Sequence, residues 1–431
     1  MRKTSVKLSV TVLLLCILAT FCFTSCGMLE FAVSVSDIYK NTEKATSGNK
    51  DFLEEMPEAT LPALDGNTSS GSQGDTTQNT IIIEGAENNI SFAASAGARS
   101  AVSVYSSFSS GVSAGSGVIY KLDAELGSAF IITNYHVVYY KSGYTESISD
   151  DISVYLYGLE SSDYAIPATF VGGSPKYDIA VLWIENSDTL KDAALKGAAA
   201  AVTVADSNDT GIGETAIAIG NPESSGISVT SGVVSVDSEY IEMTAINGEG
   251  QVELRVVRID TAINSGNSGG GLFNGKGELI GIVNAKITKS DVENIGYAIP
   301  SNIARAVADN IIDNCFNKEC KTVMRALLGI TVTVTELSTE YDAESGRIEK
   351  IEKVSVYEVD ESGIGFGKFQ KDDILKTIKL GDKTLDITRR HHVIDLMLDA
   401  RVGDVVEFSV LRGGAEQKVV IAITEECLLE Y

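Results

Sequence analysis

Asp260-Thr261-Ala262-Ile263-Asn264-Ser265-Gly266-Asn267-Ser268-Gly269-Gly270-Gly271-Leu272-Phe273-Asn274 is the stretch on which the reading of this chain turns. Ser268 lies among residues that let the backbone bend sharply. A serine hydroxyl is a weak nucleophile: it needs a base for its proton and donors for the oxyanion it creates. Gly266 and Gly269 can take positive φ, so successive N–H groups can converge on one point while another backbone comes close. Taken alone, Gly-Asn-Ser-Gly-Gly reads equally well as a surface turn. The surrounding chain has to decide.

Outward from this stretch, short β-branched or aromatic runs alternate with Gly, Ser, Asn and Asp. Strands are predicted at 101–106, 117–121, 129–133, 152–157, 179–184, 215–219, 229–236, 256–259 and 279–284, and this spacing implies a sandwich or barrel. A helix follows from Pro300-Ser301, with Ile303, Val307 and Ile311 on one apolar face, and ends near Asn314. Residues from about 321 to 424 read as a second, smaller α+β domain. Its predicted elements are a helix at 393–400 and strands at 405–411 and 418–423 around Arg412-Gly413-Gly414. His391 and His392 are placed on the exposed start of that helix.

A chain of 431 residues is too long for one ordinary domain. Its formal charge of −25 would repel phosphate, which argues against a nucleic-acid partner. Arg2, Lys3 and Lys7 precede an apolar run from Leu8 to Phe23, the pattern of a secretory signal. Small residues Thr24 and Ser25 before Cys26 match a bacterial lipoprotein cleavage site, although Phe23 stands where Leu is usual. An ordinary signal peptide and an uncleaved anchor are the alternatives. Acyl chains on Cys26 would hold the protein on the extracytoplasmic face of a membrane. Residues 26–89 contain little to bury and read as a flexible tether. Of six cysteines, Cys315, Cys320 and Cys427 lie beyond this region. Cys315 and Cys320 could pair if the helix ends between them, since five helical residues would splay them apart. No histidine lies near them, so no metal site is expected.

The chain has three histidines, and His391 and His392 belong to the C-terminal domain. His136, after the apolar run Ile131-Ile132-Thr133, is the base available to the β domain. An orienting carboxylate should be buried, and Asp178 opens the strand Ile179-Ala180-Val181-Leu182-Trp183. Such an aspartate is either a turn residue or the acceptor of the imidazole Nδ1–H.

The chain resembles the HtrA/Deg family of serine proteases. The resemblance rests on seven pieces in family order across roughly residues 98–425. They are Gly115-Ser116-Gly117-Val118-Ile119, the segment 133–138, the segment 178–182, Ala218-Ile219-Gly220-Asn221-Pro222, the segment 229–235, the segment 260–270, and Gly296-Tyr297-Ala298-Ile299-Pro300-Ser301-Asn302. Ser265 stands where the family usually has Pro, which would loosen the loop before the oxyanion hole, and Tyr135 where Asn is common. The resemblance implies a mainly β fold: a chymotrypsin/trypsin-like double β-barrel at 90–314, then an α+β PDZ domain at 321–425, preceded by the signal (1–25) and tether (26–89). It implies His136 as general base, Asp178 as its orienter and Ser268 as nucleophile, in the chain order of chymotrypsin. Gly266 and Ser268, flanking Asn267, would supply the oxyanion-hole N–H groups. Ala262, six residues before the nucleophile, would floor the S1 pocket and favour small or medium aliphatic side chains. Leu327-Leu328-Gly329-Ile330 resembles a PDZ carboxylate-binding loop, which caps a peptide C-terminus while the peptide adds a strand. Implied partners are unfolded or misfolded proteins and peptide C-termini, with a homotrimeric assembly and neither metal nor cofactor.

Overall fold

The computed structural model describes residues 90–222, 226–286, 295–343 and 346–431. The expected signal peptide, Cys26 and the tether lie outside the described residues.

A helix, Ile90–Ala98, leads into the first barrel. Its strands are β1 (Ala101–Phe108), β2 (Gly111–Asp123), β3 (Ser128–Thr133), β6 (Asp151–Leu156), β7 (Ile166–Ser174) and β8 (Ile179–Ile184), with a β4–β5 hairpin (Tyr139–Ser142, Thr145–Ile148) between β3 and β6. They close in the order β1-β2-β3-β8-β7-β6. The cause is legible in β6, where Ile152, Val154 and Leu156 alternate inward with Asp151, Ser153 and Tyr155. These residues meet Val102, Val104, Ile131, Leu182 and Ile184 in the barrel core.

The second barrel repeats the plan with β9 (Thr215–Gly220), β10 (Ser228–Thr244), β11 (Gln251–Ile259), β12 (Gly271–Phe273), β13 (Leu279–Val283) and β14 (Gly296–Pro300), closed as β10-β11-β14-β13-β12-β9. Val234, Val257, Ile259, Leu272 and Ile280 fill it. A larger cluster joins the barrels: Val118, Ile132, Ile179 and Val181 from one, and Ile217, Phe273, Ile282 and Ile299 from the other. The helix Ser301–Cys315 adds Ile303, Val307 and Ile311 to the same cluster. Burying each of these side chains is worth about 1.5–3 kcal/mol, so the seam between the barrels is rigid. Loops from both sides open onto it.

The sequence reading did not place β4, β5, β7, β12 or β14 as strands, and for β7 and β12 the physical reason is plain. β7 carries Pro167, Gly172 and Gly173, which look like breakers. The glycines mark close approach: a Cβ at Gly173 would lie 2.6 Å from the Tyr135 ring, and one at Gly172 would lie 3.0 Å from Lys321 O. β12 is three residues long, too short to show a period.

The C-terminal sheet has β16 (Ile330–Asp342), β17 (Arg347–Val359), β18 (Ile374–Leu380), β20 (Val405–Arg412) and β21 (Ala415–Ala422) in the order β16-β17-β18-β20-β21, with β19 (Lys383–Asp386) on β18. β15 (Met324–Ala326) pairs with β22 (Leu428–Glu430). Val354, Val356, Leu375, Ile378, Phe408 and Ile421 pack with Leu396 and Met397 of the helix Arg390–Leu398. That helix starts three residues before the predicted 393. His391 and His392, expected to be exposed, are buried at 4% and 7% exposure. Their helix docks against β10 and β11: Ser238 Oγ lies 3.5 Å from His391 Nδ1, and Arg389 donates to Asp237 at 2.8 Å.

Candidate active site

Four loops meet at the seam. β3 runs into Asn134-Tyr135-His136; Asp178 precedes β8; Ser268 lies between β11 and β12; Asn284 follows β13. Asp178 holds φ of 51°, a left-handed conformation that aspartate tolerates better than most residues. This bend turns its carboxylate inward, where it is fully buried.

A buried carboxylate requires donors on both oxygens. Asp178 Oδ1 accepts the backbone N–H of His136 at 3.0 Å. Oδ2 lies 2.7 Å from His136 Nδ1 and accepts Asn284 Nδ2 at 2.8 Å. An ionised carboxylate only accepts, so Nδ1 is the nitrogen that carries the proton in a neutral ring, and in that tautomer Nε2 presents a lone pair. Asn134 Nδ2 donates to the Asp178 carbonyl at 2.8 Å, tying the two loops together.

Gly266 is the third residue of a turn closed by Asn267 N–H to Asn264 O at 3.1 Å, and its φ of 98° is the left-handed value a type II turn requires there. A type I turn would flip the central peptide and reverse the Gly266 N–H. Among the described residues, neither Gly266 N–H nor Ser268 N–H has an acceptor. Ser116 holds the turn from behind: its N–H donates to Ser268 O at 2.8 Å and its Oγ to Gly266 O at 2.7 Å. Thr133 Oγ1 and the Asn221 N–H complete the brace on Ser116. At Gly269, with φ of 84°, a Cβ would lie 2.3 Å from Ser116 O.

Ser268 Oγ accepts the Ala285 N–H at 3.3 Å, and no hydrogen bond joins it to His136 among the described residues. Ala262 is exposed on the approach to the turn, its carbonyl accepting Thr230 Oγ1 at 2.9 Å. Asn284 and Ser116 are the functional residues that sequence reasoning missed. The available signal was a polar residue ending a fully apolar strand in one case and a serine between glycines in the other.

In the C-terminal sheet, Leu327-Leu328-Gly329 links β15 to β16, which pairs along one edge with β17. The N–H groups of Leu327, Leu328 and Gly329 have no acceptor among the described residues. Gly329 has φ of 67°, and a Cβ there would lie 2.4 Å from Gly363 Cα. Ile330 starts β16.

Residues 115–282 match the family model of the trypsin-like peptidase domain. The chain is 34% identical over 321 residues to serine protease Do-like HtrA of Bacillus subtilis (strain 168), covering 72% of this chain and 64% of that protein. It is 35% identical over 240 residues to the periplasmic serine endoprotease DegP of Escherichia coli (strain K12), covering 55% and 41%. It belongs to the HtrA family of trypsin-like serine proteases. Among solved structures, this HtrA chain resembles the HtrA-type protease AlgW with tripeptide, at 28% identity, covering 79% of this chain and 97% of the other with a TM-score of 0.51. The match spans less than two thirds of the length of the sequence relatives, from 41% to 64%. Family and double-barrel fold are thus as the motifs implied.

Proposed function

We propose that this chain is an extracytoplasmic serine endopeptidase that cleaves unfolded or exposed polypeptide through an acyl-enzyme. The observation that supports it best is the buried Asp178 carboxylate seated on His136 Nδ1 beside a serine in a glycine turn. Ser268 Oγ attacks the scissile carbonyl while His136 Nε2 takes its proton, and Asp178 stabilises the resulting imidazolium. The carbonyl oxygen, now negative, accepts from the Gly266 and Ser268 N–H groups. His136 then returns the proton to the leaving amine. Water, deprotonated by His136, attacks the ester and restores Ser268. Hydrogen bonds of this kind tighten in the Michaelis complex, where Ser268 Oγ would donate to His136 Nε2.

Ala262 offers no charge to a basic side chain, so small or medium aliphatic P1 residues are preferred; faster cleavage after Lys or Arg in a peptide panel would refute this. The C-terminal domain acts as a PDZ domain. The free N–H groups at Leu327, Leu328 and Gly329 would cap a peptide carboxylate, while its strand adds to the open edge of β16 from Ile330 onward. Lipidation at Cys26, carried by the signal pattern that ends there, and a homotrimer, carried by the family resemblance, complete the reading.

The test is degradation of unfolded casein by the full chain and by its Ser268→Ala variant. The variant should lose roughly four orders of magnitude or more in kcat. Equal degradation by both would overturn the nucleophile assignment. Adding peptides with free or amidated C-termini tests the second domain: equal binding of the two forms would end its PDZ role.

A further inference from the structure

The link between the barrels and the C-terminal sheet holds two cysteines that the proposed chemistry does not use. Cys315 is the last residue of the helix Ser301–Cys315. Beyond it the chain reverses through Asn317, whose φ is 57°, with Lys318 N–H on Cys315 O at 3.0 Å. This reversal meets the condition set by the sequence, because it returns Cys320 to Cys315 instead of carrying it one and a half turns onward. The two Sγ atoms lie 2.7 Å apart, and each is 3.2 Å from Thr322 O. Both thiols are free in this structure.

We propose that Cys315 and Cys320 are a dithiol–disulfide couple that clasps the segment joining the protease barrels to the C-terminal domain. A bonded pair needs a sulfur separation of about 2.05 Å, so closure requires less than an ångström of movement. Cys315 is buried and Cys320 is partly exposed, which gives the exchange an order. Cys320, as thiolate, attacks one sulfur of an external disulfide and expels its first thiolate. Cys315 then attacks Cys320 Sγ and expels the second. Two electrons pass to the oxidant, and the two cysteine protons leave with its thiols. Burial and the Cys320 neighbour push the Cys315 thiol up to about 12, consistent with Cys320 reacting first.

The clasp sits on a strapped segment. Phe316, next to Cys315, packs its ring 4.9 Å from both Phe130 and Trp183 of the first barrel. Lys321, next to Cys320, accepts the Gly173 N–H of β7 at 2.9 Å, and Gly173 lies on the strand that leads to Asp178. Asn310 then holds Met324 through both its backbone N–H and carbonyl. A bond between the cysteines therefore restrains the segment that anchors on Gly173.

The experiment equilibrates the full chain with oxidised or with reduced glutathione, alkylates it, and digests it with trypsin without reduction. In the oxidised sample, peptides 306–318 and 319–321 should appear joined and two hydrogen masses lighter than their sum, and separate after reduction. Separate alkylated peptides, glutathione adducts, or a link to Cys427 would overturn the couple. Hydrogen exchange then reads the clasp. The Gly173 amide should exchange more slowly in the oxidised form, by about threefold or more, because openings of the strapped segment are restrained. A Cys315→Ser, Cys320→Ser variant should exchange at one rate in both buffers. Equal Gly173 exchange in oxidised and reduced wild-type protein would refute the clasp even if the bond forms.

Discussion

Asp178 has three donors around its carboxylate, one of them from a residue 106 positions away in the other barrel. Asn284 thereby links barrel closure to the orientation of the imidazole. Replacing it with Ala leaves one buried carboxylate oxygen short of a donor, a loss of about 1–3 kcal/mol. We expect Asn284→Ala to lower kcat by about 10- to 100-fold with KM little changed, measured on a chromogenic peptide; an unchanged kcat would detach Asn284 from the proposed chemistry. Gly266 is the second residue of this kind. A side chain at φ of 98° is strained, and relief of that strain flips the N–H that would face the oxyanion. Gly266→Ala should therefore cost about 100-fold or more in kcat while casein binding by the variant persists.

At the scale of elements, the informative one is the helix Arg390–Leu398. Its first turn, Arg390-His391-His392, looks solvated as a sequence, yet it is pressed against β10 and β11. Asp395, buried on this helix, pairs with buried Arg255 of β11, and Arg390 stacks over the Tyr240 ring at 3.5 Å. Burial pulls the Asp395 carboxyl up, and Arg255 opposes this. Removing one partner leaves an uncompensated buried charge, whereas replacing both with apolar groups need not cost stability. Asp395→Ala should thus destabilise by about 3–5 kcal/mol in urea unfolding, and Arg255→Met with Asp395→Leu should recover most of the loss. If the double variant is no better than the single, the pair contributes more than charge compensation.

Across the whole molecule, pH acts through the same interface. Burial lowers His392 to about 4, and burial with Arg255 nearby drives His391 lower still. Between about pH 6.5 and 4 the unfolded chain binds protons on these histidines that the folded chain does not, so stability falls as pH falls. The His392 contribution alone is on the order of 3 kcal/mol. Arg255, Arg389, Arg390 and the carboxylate of Asp206 act on this pair, and the Asp386 carbonyl lies 2.9 Å from His392 Nδ1. Burial raises Glu352, but the Arg390 N–H and Lys350 outweigh it and hold its carboxyl below the usual range. Its contribution is lost only as pH falls below about 4.5. Thermal melts should therefore begin to weaken near pH 6.5, and a His391→Gln, His392→Gln variant should delay that onset to below about pH 5. An unchanged onset would place the titration elsewhere.

What the sequence determined by itself is what local periodicity and scarce residue types can carry. Alternation along β6, the unbroken apolar run of β8, and the four-residue recurrence of Ile303, Val307 and Ile311 are local patterns that act within a few residues. With three histidines in the chain and one of them in the β domain, His136 was nearly forced as a candidate, and seven ordered motifs carried the family. Tertiary structure alone decided which residues meet across long separations. It brought His136 to Asp178 over 42 positions and Asn284 to the same carboxylate over 106. It also buried His391 and His392 against β10 and β11 and folded Cys320 back onto Cys315. Side-chain partners are set by how closed barrels and a docked helix pack, and packing depends on the whole chain at once, which no window of sequence contains.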